Sequence, residues 1–135
     1  ALIFIILQIL GAGLGVMIAH GMFELDILQI SSKSRQGASQ GFSEIIATFG
    51  LILVIFGGLK VRADAIPALV GFYITSAYWF TASTSFANPA VTLARSLSDT
   101  FAGINPSNII MFISCQFIGM LVALILVKYI FSEKE

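Results

Sequence analysis

One stretch constrains this chain more than any other: Ser85-Phe86-Ala87-Asn88-Pro89-Ala90-Val91-Thr92-Leu93-Ala94-Arg95-Ser96, set between two long apolar runs. Asparagine is a favoured N-cap, because its side-chain oxygen can accept a first-turn N–H. Proline fits the next position, where its missing N–H leaves nothing unpaired. Asn88-Pro89-Ala90 therefore predicts a helix start, and the half-helix is expected over residues 88–98. From Pro89 through Val91 to about Ser98 it is ~15 Å long at ~1.5 Å per residue, roughly half of a ~30 Å hydrocarbon core. A helix that begins at membrane depth aims its unpaired N–H groups and positive dipole end at whatever lies there. Irregular backbone at that depth is tolerated only inside protein or beside a water-filled cavity. The expectation is a wet conduit.

Composition agrees with a lipid setting. The 135 residues are 58% hydrophobic and 10% charged, against about 25% charged in soluble domains. Net charge is zero, so no basic surface attracts nucleic acid. The lone Cys115 excludes an intrachain disulfide and a cysteine-rich metal cluster, and reads as a small packing residue. His20, the single histidine, reads as an interfacial or interhelical polar contact, since no second histidine can share a metal with it. No nucleophile–base pair is visible, so neither catalytic residues nor a cofactor are expected. The chain opens at Ala1 in apolar sequence without a charged leader, and is expected to start partway through a larger protein.

Four spans are expected, about 1–23, 41–60, 66–86 and 109–131, with the half-helix between the last two. Gly11, Gly13 and Gly15 in the first suit close helix packing in lipid. Glu24 to Gln40, polar and serine-rich, reads as an exposed loop. In the third span Phe72, Ser76, Trp79 and Ser83 share one helical face. Its hydroxyls either line a solute path or bond backbone carbonyls within the bundle. Asn105-Pro106-Ser107 reads as an ordinary N-cap and proline start to the last span. Lys60, Arg62, Lys128 and Lys134 fall on one side and Lys33 and Arg35 on the other, so the C-terminus is expected in the cytoplasm.

An internal echo runs through the chain. Phe4-Ile5-Ile6-Leu7-Gln8-Ile9-Leu10-Gly11 aligns without a gap on Phe112-Ile113-Ser114-Cys115-Gln116-Phe117-Ile118-Gly119. Under the expected span order the two helices run antiparallel, the arrangement of an inverted repeat.

Asn88-Pro89-Ala90 on a half-helix, the Gln-x-x-Gly echo and Glu44-x-x-x-Thr48-Phe49 together resemble the aquaporin (major intrinsic protein) family. The resemblance implies an all-α membrane protein: a partial aquaporin-like right-handed helix bundle matching the family's helices three to six and its second Asn-Pro-Ala motif. Helices one and two and the first motif would be the missing N-terminal half. The family is usually a homotetramer in a lipid bilayer, and here a bacterial inner membrane is implied. The Asn88 amide would donate a hydrogen bond to a passing neutral solute, while the half-helix dipole disfavours cations. Glu44 is implied to anchor the half-helix loop by accepting its N–H groups; the competing reading is a solvated residue near a helix end.

The resemblance also locates a departure. Most members carry arginine three positions past the motif's asparagine, at the narrowest point, where this chain has Val91. Ser76 and Ser85 match two other narrow-point positions, and the fourth would lie in the missing half. Two hydroxyls and a valine should widen the path and admit larger uncharged solutes. Arg95 lies four residues past Val91, ~6 Å further out; it reads as a vestibule residue able to pair with Asp99, the competing reading being a displaced filter arginine. The run from Asn88 to Ile104 is most similar to a bacterial branch associated with arsenic detoxification, which implies passage of neutral trihydroxyarsenic alongside glycerol-like polyols and water.

The leading expectation is a passive channel for water and small neutral solutes. A secondary transporter with a broken helix would use the same motif but needs an ion-coupling carboxylate pair, and Glu44 stands alone. A non-conducting fragment or interaction module is the third reading. It is distinguished by whether two further spans and another Asn-Pro-Ala lie upstream in the gene.

Overall fold

The protein's computed structural model describes residues 1–131 and is all-helical. The C-terminal Ser132 to Glu135, with the topology marker Lys134, lies outside the described residues. Five α-helices follow in order: α1 Leu2–Met22, α2 Ala38–Val61, α3 Ile66–Phe80, α4 Pro89–Arg95 and α5 Ile109–Phe131. Short 3-10 turns at Ala63–Ala65 and Pro106–Asn108 lead into α3 and α5.

Among the described residues three segments are long and apolar enough to cross a membrane: Leu2–Met22, Ala38–Val61 and Pro106–Ile130. Outside lipid such helices would be aggregation-prone, because their large side chains stay exposed; α1 buries only His20. Helix α1 ends where Glu24 turns left-handed at φ 55° and the Leu25 N–H returns to the His20 carbonyl at 2.9 Å.

The third expected span is shorter than its hydropathy suggests. Helix α3 has 15 residues, ~22 Å at ~1.5 Å per residue, and stops at Phe80 rather than Phe86. Thr81 is extended, and Thr84, Ser85 and Ala87 take positive φ of 62°, 46° and 50°. Local chemistry explains the stop in part: serine and threonine offer the backbone competing hydrogen bonds and weaken helices. The expected face dissolves with it. Ser76 and Trp79 stay exposed on α3 beside Phe72, whereas Ser83 leaves the helix and is fully buried.

The half-helix α4 is likewise shorter than residues 88–98. Bonds from Ser96, Leu97 and Ser98 back to Leu93, Ala94 and Arg95 carry one tightened turn beyond it. Before α5, Asn105 Oδ1 accepts the Ser107 N–H at 3.0 Å and its hydroxyl at 2.8 Å, a local cap.

Helices α2 and α5 pack most intimately, and glycine allows it. A Cβ at Gly119 would run into the Ile45 backbone of α2, and one at Gly41 would meet Cys115 Sγ at 3.0 Å. The small apolar core beside this seam joins Phe86, Ile104 and Phe112, with Phe86 and Phe112 edge-to-face at 5.0 Å.

Gly119→Ala should lower thermal stability in detergent by about 1–3 kcal/mol, as for overpacking against immovable backbone. Gly71→Ala on α3 meets nothing within 4 Å and serves as the control that leaves the unfolding midpoint unchanged or slightly raised.

Candidate functional site

Asn88 caps α4 from extended backbone (φ −156°, ψ 127°), and its Oδ1 accepts the Ala90 N–H at 2.7 Å. The same side chain keeps its Nδ2 donors without a protein acceptor among the described residues. Asn88 lines a cavity of ≈ 190 Å³ with Gln8, Thr48, Pro89, Gln116 and Met120. Thr48 Oγ1 and Gln116 Oε1 are buried and unpartnered. Such atoms are normally satisfied by water or a ligand, so the asparagine sits among polar groups with unused hydrogen-bonding capacity.

The strained approach to Asn88 is held by a buried carboxylate. Glu44 on α2 has no exposed surface. Its Oε1 accepts the Phe86 N–H and its Oε2 the Ala87 N–H, both at 2.9 Å. Gln116 Nε2 donates to Oε2 at 2.7 Å and also lies 2.9 Å from Thr92 Oγ1 on the half-helix. One carboxylate and one amide thus tie α2, α5, the extended segment and α4 together. Left-handed φ at a non-glycine residue costs roughly 1–2 kcal/mol, and charge-assisted bonds are strong enough to offset it.

A second anchor comes from the loop expected to be exposed, and sequence reasoning missed it. Arg35 is 4% exposed. Its Nε donates to the Gly103 carbonyl at 2.7 Å, Nη1 to Ser83 at 2.8 Å and Nη2 to Phe101 at 2.9 Å. Its own N–H reaches Asn108 Oδ1 at 3.0 Å. Burial, and secondly the neighbouring Arg95 charge, pull its pKa below the usual guanidinium value. The available hint was local: Ser34, Gln36 and Gly37 beside it offer no acidic partner. Ser31, also buried, donates its N–H to the Ser96 carbonyl at 2.8 Å. The loop is therefore stitched over the end of the half-helix because its polar groups find partners there.

The expected narrow-point residues differ in setting. Ser76 is exposed on α3, its hydroxyl donating to the Phe72 carbonyl at 2.9 Å. Ser85 is buried with an unpartnered hydroxyl oxygen, three residues before Asn88. Val91, three residues after it, is half-buried and packs against the Phe86, Ile104 and Phe112 core. His20 is buried, with Nδ1 3.0 Å from the Ile27 carbonyl and Nε2 3.0 Å from Ser98 Oγ, a polar contact that joins α1 to the loop after it and to the segment following α4.

Arg95 does not pair with Asp99. Asp99 Oδ1 instead accepts the Ser32 N–H at 2.8 Å and hydroxyl at 2.9 Å, because the stitched loop reaches it first. Arg95 lies over the Phe86 ring, 4.3 Å from its centroid, and 5.8 Å from that of Tyr78. Among the described residues no group of three or more acidic, histidine or cysteine side chains could hold a metal ion.

Long apolar helices, a short helix capped by Asn-Pro-Ala, and a buried carboxylate bracing its approach define a helical membrane protein with a partial aquaporin-like bundle. The chain is 48% identical over 127 residues to Aquaglyceroporin AqpS of Rhizobium meliloti (strain 1021), a likeness that supports the aquaporin family. The match covers 94% of this chain and 54% of that protein, so the chain spans about half the length of this curated relative. No family model and no solved structure matches.

Two outcomes are expected here. Glu44→Gln turns an amide donor toward backbone N–H groups and should lower stability by about 2–3 kcal/mol, measured by unfolding in detergent. The Ser32 backbone N–H, then its hydroxyl, hold the Asp99 carboxyl below the usual carboxylate range. A carboxyl depressed on folding stabilises above its unfolded pKa of ~3.9, and that contribution disappears as pH falls through the lower folded value. The protection of the Ser32 amide from hydrogen exchange, relative to an unstructured amide at the same pH, should fall as pH drops below about 4 and stay constant above it.

Proposed function

We propose that this chain forms part of an aquaporin-family channel that passively conducts water and small neutral polyols. Neutral trihydroxyarsenic, a hydroxyl-bearing solute of similar size, fits the same chemistry. The observation that carries the reading is Asn88. Its oxygen is committed to Ala90 while its amide donors remain free at the wall of a cavity that holds other unpartnered polar groups. A neutral hydroxylated solute can exchange its water hydrogen bonds for these, one at a time, without carrying charge into lipid depth. The curated relative's description as an aquaglyceroporin supports the same solute class.

The way Glu44 is used supports passive conduction. Both of its oxygens accept bonds that hold the extended segment, so it is not a free proton- or sodium-coupling carboxylate. Ser76, Ser85 and Val91 would form three sides of the narrow point, with the fourth supplied by two further helices and another half-helix. The bundle would sit as a tetramer in a bacterial inner membrane with its C-terminus in the cytoplasm.

Proteoliposomes carrying the full-length protein should swell in polyol gradients at a rate indifferent to membrane potential and to uncouplers. Saturable uptake that requires an ion gradient would favour a transporter instead. Val91→Arg should slow polyol entry by about tenfold, the effect of ~1.4 kcal/mol on a barrier, while retaining part of the water flow. Unchanged solute selectivity in that variant would remove Val91 from the narrow point.

A further inference from the structure

We propose that Arg95, stacked on Phe86 and backed by Arg35, is the charge-selecting residue of the outer mouth, excluding cations from a path whose position 91 is neutral. The proposal rests on the channel reading above.

Three observations carry it. First, Arg95 ends the half-helix α4 and reaches toward α3, its guanidinium 4.3 Å from the Phe86 ring centroid and 5.8 Å from that of Tyr78 on α3. Second, its hydrogen-bonding capacity is nearly unused. Its bond to Thr84 Oγ1 is long, 3.4 Å, and it forms no ion pair among the described residues. It borders a cavity of ≈ 550 Å³ that His20, Ser98 and Thr100 also line. Third, a second guanidinium lies on the same ring: Arg35 is 5.0 Å from the Phe86 centroid, with its donors committed to three carbonyls.

The geometry divides the work. Arg35 fixes the loop and places a second positive charge on the Phe86 ring, so that two guanidiniums stand against the single Glu44 carboxylate that acts on both. Arg95 keeps its donors available to a solute while its flat face rests on the ring. Two like charges on one aromatic outweigh the one carboxylate and leave the local potential positive. A cation meets that barrier; a neutral hydroxylated solute meets hydrogen-bond donors.

The test measures methylammonium and polyol entry into proteoliposomes of the full-length protein. Arg95→Gln should raise the methylammonium-to-polyol ratio about tenfold, the effect of ~1.4 kcal/mol, and Arg95→Lys should leave it unchanged. Conversely, Arg95→Gln with normal polyol entry and an unchanged ratio overturns the proposal. Should Arg95→Gln fail to assemble, Arg95→Cys in a Cys115→Ser background replaces it. Modification by a cationic thiosulfonate should restore exclusion, whereas a neutral reagent of equal size should not. Restoration by both would mean that bulk, not charge, selects, and overturns it equally. Absence of polyol entry in the unsubstituted protein would defeat the channel reading itself, a separate outcome.

Discussion

The Glu44 carboxylate is the interaction on which the rest of this structure depends. A charge at membrane depth is expensive to desolvate and survives only where hydrogen bonds surround it. Two backbone N–H groups and the Gln116 amide do so here. Those same bonds hold a segment in which Thr84, Ser85 and Ala87 take left-handed φ, a conformation that no helix and no sheet would stabilise. Without them the chain after Phe80 has no reason to leave the helix through an irregular, partly left-handed segment and then restart as a helix at Pro89.

Arg35 acts on the other flank of the same segment. Its bonds to Ser83, Phe101 and Gly103 join the 24–37 loop to the backbone on both sides of the half-helix. A carboxylate from α2 and a guanidinium from the loop therefore grip one stretch of eight residues from Thr81 to Asn88. Opposite charges are used without an ion pair between them: Arg35 is satisfied by backbone carbonyls, and Glu44 by backbone N–H groups and the Gln116 amide. The Phe86 ring becomes a platform for both arginines while its edge packs on Phe112.

Elsewhere the packing follows lipid rules rather than aqueous ones. The hydrophobic effect gives long apolar helices no incentive to associate in a bilayer, so contact depends on close approach and hydrogen bonds. Gly119 against the Ile45 backbone supplies the first, and Tyr73, donating to the Ala47 carbonyl at 2.9 Å, the second. Helix α1 remains apolar and exposed along its length, joined to the half-helix region through His20 and Ser98.

Much of the local structure was legible in the sequence because it arises from neighbours a few residues apart. The apolar runs, the Asn88 cap, the proline after it and the Asn105 cap all act within one helical turn. What the tertiary structure alone decided involves partners far apart in the chain: Glu44 and Phe86 are separated by 42 residues, Arg35 and Ser83 by 48, Ser32 and Asp99 by 67. Hydropathy extended the third span to Phe86, since serine and threonine are tolerated in membrane helices; bonds from Glu44 and Arg35 selected the extended path instead. Helical spacing put Asp99 within reach of Arg95, but it contains no information about a loop that arrives from Ser32. Composition and capping determined that a short helix begins inside a lipid-compatible chain, whereas long-range hydrogen bonds to buried charges decided what holds its approach and where its arginines rest.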